Sequence, residues 1–203
     1  MFFRNKRSVL IIFSCFALAG LATAFTDVPA DYWAGPEIDR LVRIGVLTGY
    51  PDGTFRPEQG LNRAELATIL DRLKLLPVAN VQAAPFPDVR PQYWAAGYIA
   101  AASKAGLVVG YPDRTFRPTF PLDRVDAIVT VVRLEGLAEP YDWRVLYSDV
   151  SAEHWAVRYV YVAKKNGFLD YITDGLLEPS KVFSRGELCW MLARTKLVKN
   201  KLP

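Results

Sequence analysis

Trp33, Trp94 and Trp155 stand 61 residues apart in a chain of 203. The same interval aligns Asp27/Asp88/Asp149, Gly45/Gly106/Gly167, Asp52/Asp113/Asp174, Pro57/Pro118/Pro179 and Arg63/Arg124/Arg185. An offset that recurs without insertion or deletion means three copies of one unit, each holding its geometry in register with the others. A unit this short buries a meagre core alone, because small domains hide a smaller share of their surface. The three copies must therefore share one core, which rules out beads on a string.

Each copy opens with an aromatic-x-Asp-Val turn: Phe25 to Val28, Phe86 to Val89 and Tyr147 to Val150. From Trp33 onward, Ile38, Leu41, Val42 and Leu47 fall at roughly helical spacing. Gly45, like Gly106 and Gly167, suits the C-terminal cap of that helix. Next comes Gly49-Tyr50-Pro51-Asp52-Gly53-Thr54-Phe55-Arg56-Pro57, matched by Gly110 to Pro118. Its Pro-Asp-Gly core orders a turn by preset proline geometry, Asp side-chain bonding and glycine tolerance of positive φ. The second helix starts at Asn62, Asp123 and Ser184, all good N-cap residues. Glu65, Asp126 and Glu187 three positions on complete or imitate a capping box. Leu66, Ile69, Leu70 and Leu73 form its buried face. The unit reads helix, ordered loop, helix, and the connectors Lys74 to Pro85 and Glu135 to Leu146 read as packed segments.

Ahead of the first copy lie Arg4, Lys6 and Arg7, an apolar run from Val9 to Ala19, and the small-residue site Ala22-Thr23-Ala24. This pattern predicts a cleaved secretory signal peptide over 1–24, with an uncleaved anchor and lipidation at Cys15 as the lesser alternatives. Its removal leaves 22 basic against 21 acidic residues, a net charge near +1. No basic stripe remains to track a phosphate backbone, so no nucleic-acid partner is expected. Cys189 is then the single cysteine, which excludes an internal disulfide, and its copy-equivalents Ala67 and Ile128 mark it as a buried apolar residue.

Arg63, Arg124 and Arg185 are the residues a helix would not choose. Each puts a cation in the first turn, where the helix dipole favours anions by about 0.3 to 1 kcal/mol. Two explanations stand together: an intramolecular pair with Asp27, Asp52 or their equivalents, or an anion site made with free amides at the helix start.

Taken with these residues, the segments Phe25 to Leu73, Phe86 to Leu134 and Tyr147 to Ala193 resemble three surface-layer homology (SLH) modules. The resemblance rests on Phe-x-Asp-Val, the tryptophan at the head of helix one, Gly-Tyr-Pro-Asp-Gly-x-Phe-x-Pro, and Asn62-Arg63-Ala64-Glu65 opening helix two. It implies an all-α fold, three helix-loop-helix repeats forming one compact pseudo-threefold, three-pronged domain. The divisions are 25–85, 86–146 and 147–203, the last ending in a basic tail. It also implies a non-catalytic envelope anchor at the cell wall or surface, or on the periplasmic face if the envelope has two membranes. The ligand would be a peptidoglycan-linked secondary cell-wall polysaccharide, often pyruvylated and so acidic, held in grooves between modules. The site residues so implied are Arg63, Arg124 and Arg185 with Gly49-Tyr50 and Gly110-Tyr111. Copy three departs: Tyr171-Ile172 replaces Gly-Tyr, and Glu178 stands where Arg56 and Arg117 sit. A glycine that lets backbone approach a sugar has become tyrosine, which puts that groove in doubt. A second reading is an adaptor that self-associates or links the wall to an outer-membrane or surface-layer protein.

Trp33, Trp94 and Trp155 could stack on sugar rings, though an aromatic heading a core-facing helix more often packs inward. His154 stands where Tyr32 and Tyr93 do, before the tryptophan, and reads as a substitute aromatic. The acidic positions Asp27, Asp88, Asp149, Asp52, Asp113, Asp174, Glu65, Asp126 and Glu187 read as fold elements, since a catalytic pair would occur once rather than three times. No metal or cofactor is expected, because the loops lack the alternating oxygen ligands of a calcium hand.

Overall fold

The computed structural model describes residues 25–73, 76–78 and 85–201. The signal-peptide segment and most of the first connector lie outside them. Each copy contributes two helices: α1 (Gly35–Arg43) and α2 (Arg63–Arg72), α3 (Ala96–Lys104) and α4 (Arg124–Leu134), α5 (Val157–Lys165) and α6 (Arg185–Ala193). The first helix of each pair starts two residues after its tryptophan, behind Ala34, Ala95 or Ala156, with no side-chain cap. It ends as expected, with Gly45, Gly106 and Gly167 at φ 71°, 70° and 76°, the left-handed geometry that glycine adopts without a Cβ penalty.

The second helices are capped in two copies of three. Asn62 and Ser184 close full capping boxes with Glu65 and Glu187. Asp123 makes no side-chain cap bond, and Asp126 instead turns outward to Arg63 of the preceding copy. The segment expected to be a basic tail forms a turn of helix, α7 (Lys196–Lys199), capped by Thr195, with Val198 buried. Lys201 Nζ ties it back by donating to the Leu73 carbonyl at 2.7 Å.

Helix two of each copy packs on helix one of the next: α2 on α3, α4 on α5, and α6 back on α1. The arrangement is cyclic, so no copy completes its own core. Leu61 N donates to Phe183 O (2.9 Å), Phe183 N to Leu122 O (2.8 Å) and Leu122 N to Leu61 O (2.8 Å), a closed ring of backbone bonds joining the three copies. Around it runs one continuous apolar core, in which Phe55, Phe116 and Phe183 are wholly buried. Each contributes about 1.5–3 kcal/mol by leaving water. Cys189 is buried in it, where loss of solvent drives its thiol pKa far up and leaves an inert apolar side chain. In the second connector Trp143 and Leu146 pack against this core, as does Leu76 of the first, while Val78 is exposed.

Between the helices of each copy the loop is fixed by one carboxylate. Asp27 accepts from the amides of Phe55 (2.7 Å) and Arg56 (2.6 Å), and Asp88 and Asp149 do the same one and two repeats on. The clamp holds Arg56, Arg117 and Glu178 at φ 59°, 56° and 51°. A non-glycine residue adopts that region at a cost, and persists there when its surroundings over-determine it.

Candidate functional site

The three motif arginines are buried and cross from one copy to the next. Arg63 donates through Nε to Phe116 O (2.7 Å), through Nη2 to Val109 O (2.5 Å) and through Nη1 to Asp126 (2.8 Å). Arg124 donates to Leu177 O and sends Nε and Nη2 to Glu187 at 2.9 and 2.6 Å, with Glu178 at 3.3 Å. Arg185 donates through Nε to Phe55 O (3.0 Å) and through Nη2 to Thr48 O (2.8 Å), and makes no ion pair among the described residues. Each arginine therefore pins its helix start to the loop of the following copy. Hydrogen bonds of this charge-assisted kind contribute about 1.5–3 kcal/mol each, which outweighs the unfavourable dipole term.

Two expectations are corrected here. The partner carboxylates are Asp126, Glu187 and Glu178, whereas Asp27 clamps its own loop and Asp52 bonds Thr54 and Arg56. Nor are the amides at the helix starts free: those of Arg63 and Ala64 donate to Phe120 O and Pro118 O. Those of Arg124 and Val125 donate to Lys181 O and Pro179 O, and those of Arg185 and Gly186 to Gln59 O and Pro57 O. The pairing was recoverable from the repeat, because the acidic residue lies 63 positions on from its arginine in both copies that pair. That is one repeat plus two residues, so the signal lay in reading the capping-box acid against the arginine of the copy before it.

Two of the seams open to solvent as grooves. The first has a volume of about 450 Å³ and is walled by Arg63, the Gly110-Tyr111 loop, Asp123 and Asp126, Arg133 and, from the third copy, Trp155. Burial holds the Asp126 carboxyl above the usual aspartate range, and Arg63 offsets part of that rise. The second, about 370 Å³, is walled by Arg124, Tyr171, Ile172, Glu178, Glu187, Lys181 and Trp33. The Arg185 seam repeats the first groove's frame, with Thr48, Tyr50 and Phe55 in the places of Val109, Tyr111 and Phe116.

Tyr111 walls the first groove and Tyr50 takes the same place at the Arg185 seam, each with two guanidiniums against its ring. Arg56 and Arg185 lie 4.0 and 5.2 Å from the Tyr50 ring, and Arg117 and Arg63 lie 4.1 and 4.9 Å from that of Tyr111. Their glycines have another task. A Cβ on Gly49 would stand 2.2 Å from the Phe25 ring, and one on Gly110 2.4 Å from that of Phe86. The missing side chain makes room for the aromatic that opens the copy, which is reason enough for glycine at both positions.

Trp94 and Trp155 are 57 and 58 % exposed, which removes the inward-packing alternative for these two, while Trp33 is 39 % exposed. His154 lies against Trp155 as Tyr32 and Tyr93 lie against Trp33 and Trp94, so it does replace an aromatic. Trp33 differs from its relatives in being covered: Tyr171 stacks on it at 5.1 Å and Trp190 lies at 5.6 Å. Tyr171 also donates its hydroxyl to Glu187 at 3.1 Å. The role of Trp190 was missed, since its equivalents Thr68 and Val129 carry no ring. Tyr147 replaces Phe25 and Phe86, and its buried hydroxyl has no partner among the described residues. Burial, with Asp170 nearby, pushes its pKa up to about 12.

Three helical pairs closed head to tail, with grooves walled by arginine, carboxylate and aromatic side chains at two of the seams, define a repeat-built module whose candidate sites lie between copies. The chain belongs to the S-layer homology domain family, whose model matches residues 24–67, 85–128 and 146–189. It is 32 % identical to the S-layer protein EA1 of Bacillus anthracis over 180 residues, 88 % of this chain and 20 % of that protein. A cellulosome-anchoring protein of Acetivibrio thermocellus is 32 % identical over 140 residues, 66 % of this chain and 31 % of the relative. An uncharacterized cell wall amidase of Bacillus anthracis is 30 % identical over 178 residues, 86 % of this chain and 32 % of the relative. The chain thus spans between a fifth and a third of the length of these relatives.

Proposed function

We propose that this chain is a non-catalytic anchoring module that holds to a peptidoglycan-linked, acidic wall polysaccharide, of the pyruvylated kind, through the grooves between its repeats. The observation that carries this reading is the wall of the grooves: a buried arginine from one copy, a loop from the next and a tryptophan from the third. An arginine with a planar fork of donors suits a carboxylate, and an aromatic face suits the apolar side of a sugar ring. Relatives named as S-layer and cellulosome-anchoring proteins favour the same role. The amidase likeness covers a third of that relative, a share equal to such a module. The acidic residues that repeat in this chain serve loop clamps, caps and ion pairs. Export through a cleaved segment at 1–24, and residence on the wall, belong to the same proposal.

Pull-down with purified wall sacculi tests it. The protein co-sediments with intact sacculi and is lost from sacculi stripped of their secondary polymer; equal binding to both sinks the reading. Release of reducing sugar or new amino groups from the wall by the purified protein would overturn the non-catalytic part.

A further inference from the structure

Copy three departs from its relatives on its outer side as well as in its loop. Its first helix, α5, carries three basic residues and no acidic one, where α1 carries two of each and α3 a single lysine. Arg158, Tyr161 and Lys165 stand at helical spacing along one face of α5. The same positions hold Pro36, Asp39 and Arg43 in copy one and Gly97, Ala100 and Lys104 in copy two.

The cations of this face rest on rings. Lys165 Nζ lies 5.7 Å from the centre of the Tyr161 ring, and the Arg158 guanidinium lies 5.6 Å from that of Trp143 in the second connector. Arg133, near the end of α4, lies 5.4 Å from the Tyr159 ring. None of the three makes an ion pair among the described residues. By contrast Lys164 of the same helix is paired with Asp170, and Arg194, which stands one repeat on from Arg133, is paired with Glu37. A cation stacked on a ring keeps its charge and its outward donors while its long side chain is steadied. The face is therefore cationic and partly pre-organised, which lowers the ordering cost of binding.

This face is continuous with a cavity. Arg133 and Trp155 both wall the first groove, and Trp155 stands two residues ahead of α5. The contact of Arg133 with Tyr159 leads from the groove to the first turn of α5, beside Arg158. Lys165 follows two turns further, about 10 Å along by the rise of a helix. A linear molecule with one unit in the groove would meet, beyond Arg133, two more cations without a carboxylate partner.

Resting on the wall-polymer reading, we infer that copy three carries a track for an extended acidic polysaccharide, in which the strand leaves the first groove at Arg133 and lays further anionic groups against Arg158 and Lys165. Charge complementarity favours such a strand over a membrane surface, because α5 exposes no large apolar side chain to enter a headgroup layer. A second contact on the same strand acts at a high effective concentration, so weak exposed contacts add affinity for long chains and none for single units.

The test measures binding of the purified protein to secondary polymer released from sacculi, as single repeating units and as long chains, with affinity counted per unit. The unaltered protein binds the long chains more tightly. Arg158→Ala/Lys165→Ala weakens the long chains roughly fivefold, as two exposed charge contacts would, and leaves the single units unchanged. Both side chains are exposed, and an unchanged urea midpoint shows that the variant folds. Arg43→Ala/Lys104→Ala removes exposed cations from positions of the other copies that match Lys165, and changes neither affinity. Equal affinity of the unaltered protein for short and long chains overturns the track. Equal losses in the two double variants overturn it as well, by marking a plain effect of net charge. A loss of binding to phosphatidylglycerol vesicles without a loss on the polymer gives the face to a membrane and also overturns it. Failure of the unaltered protein to bind either the polymer or intact sacculi removes the wall reading itself.

Discussion

The seams at Arg124 and Arg185 show one scaffold used in two ways. At the first of these, the arginine meets a carboxylate as buried as itself, Glu187, and a tyrosine replaces the glycine of the other copies. At the other, the arginine is held by carbonyls alone and its loop keeps Gly49 and Tyr50. Threefold repetition of an arginine therefore guarantees threefold pinning of helix to loop, and does not guarantee three equivalent sites.

The comparison breaks most sharply through stability. Arg124→Ala leaves Glu187 buried without its cation, so urea unfolding should show a loss of about 3–5 kcal/mol. Arg185→Ala strands only carbonyls and should cost about 1–3 kcal/mol. If the two variants unfold alike, the charge difference between the seams has no energetic content. The loop clamp supplies the opposite expectation, equality. Asp27→Ala, Asp88→Ala and Asp149→Ala each lose two charge-assisted bonds to backbone amides and release a left-handed residue, at a cost of about 2–4 kcal/mol in every copy. A copy-three value far from the other two would show that its loop stands by other means.

Tyr171→Phe removes one hydroxyl bond to Glu187 and keeps the stack on Trp33, for a loss of about 1 kcal/mol in the same assay. The smallest effect is a titration. Thr54 and Arg56 hold the Asp52 carboxyl down to about 2. Its stabilising contribution is present above the ordinary aspartate value near 3.8 and fades as pH falls through about 2. Glu178 replaces the arginine in copy three, so Asp174 lacks this partner. Carbon-13 spectra of the side-chain carboxyls should follow Asp52 down to that lower pH.

What was legible in the sequence follows the same division. The helices, their glycine stops, the ordered loops and the shared core were all local or periodic signals, and they stand as read. The partners of the arginines were not, because they lie a full repeat away, and short-range reasoning offered Asp27 and Asp52 instead. One constraint on the glycine of the Gly-Tyr pair was out of local reach for a related reason: it comes from Phe25, which precedes it by a helix. The substitutions in copy three were visible, and their consequence for Trp33 needed the ring of copies to be closed.

That ring imposes an order of events on a chain that emerges from its amino-terminal end. Leu122 can reach Leu61 as soon as two copies are available, but the last two links wait for Phe183. Until then α1 lacks α6, the helix that covers it. The first copy to emerge is thus the last to be sealed, and a chain interrupted after two copies is left with an open apolar edge, recognisable to a protease as unfinished.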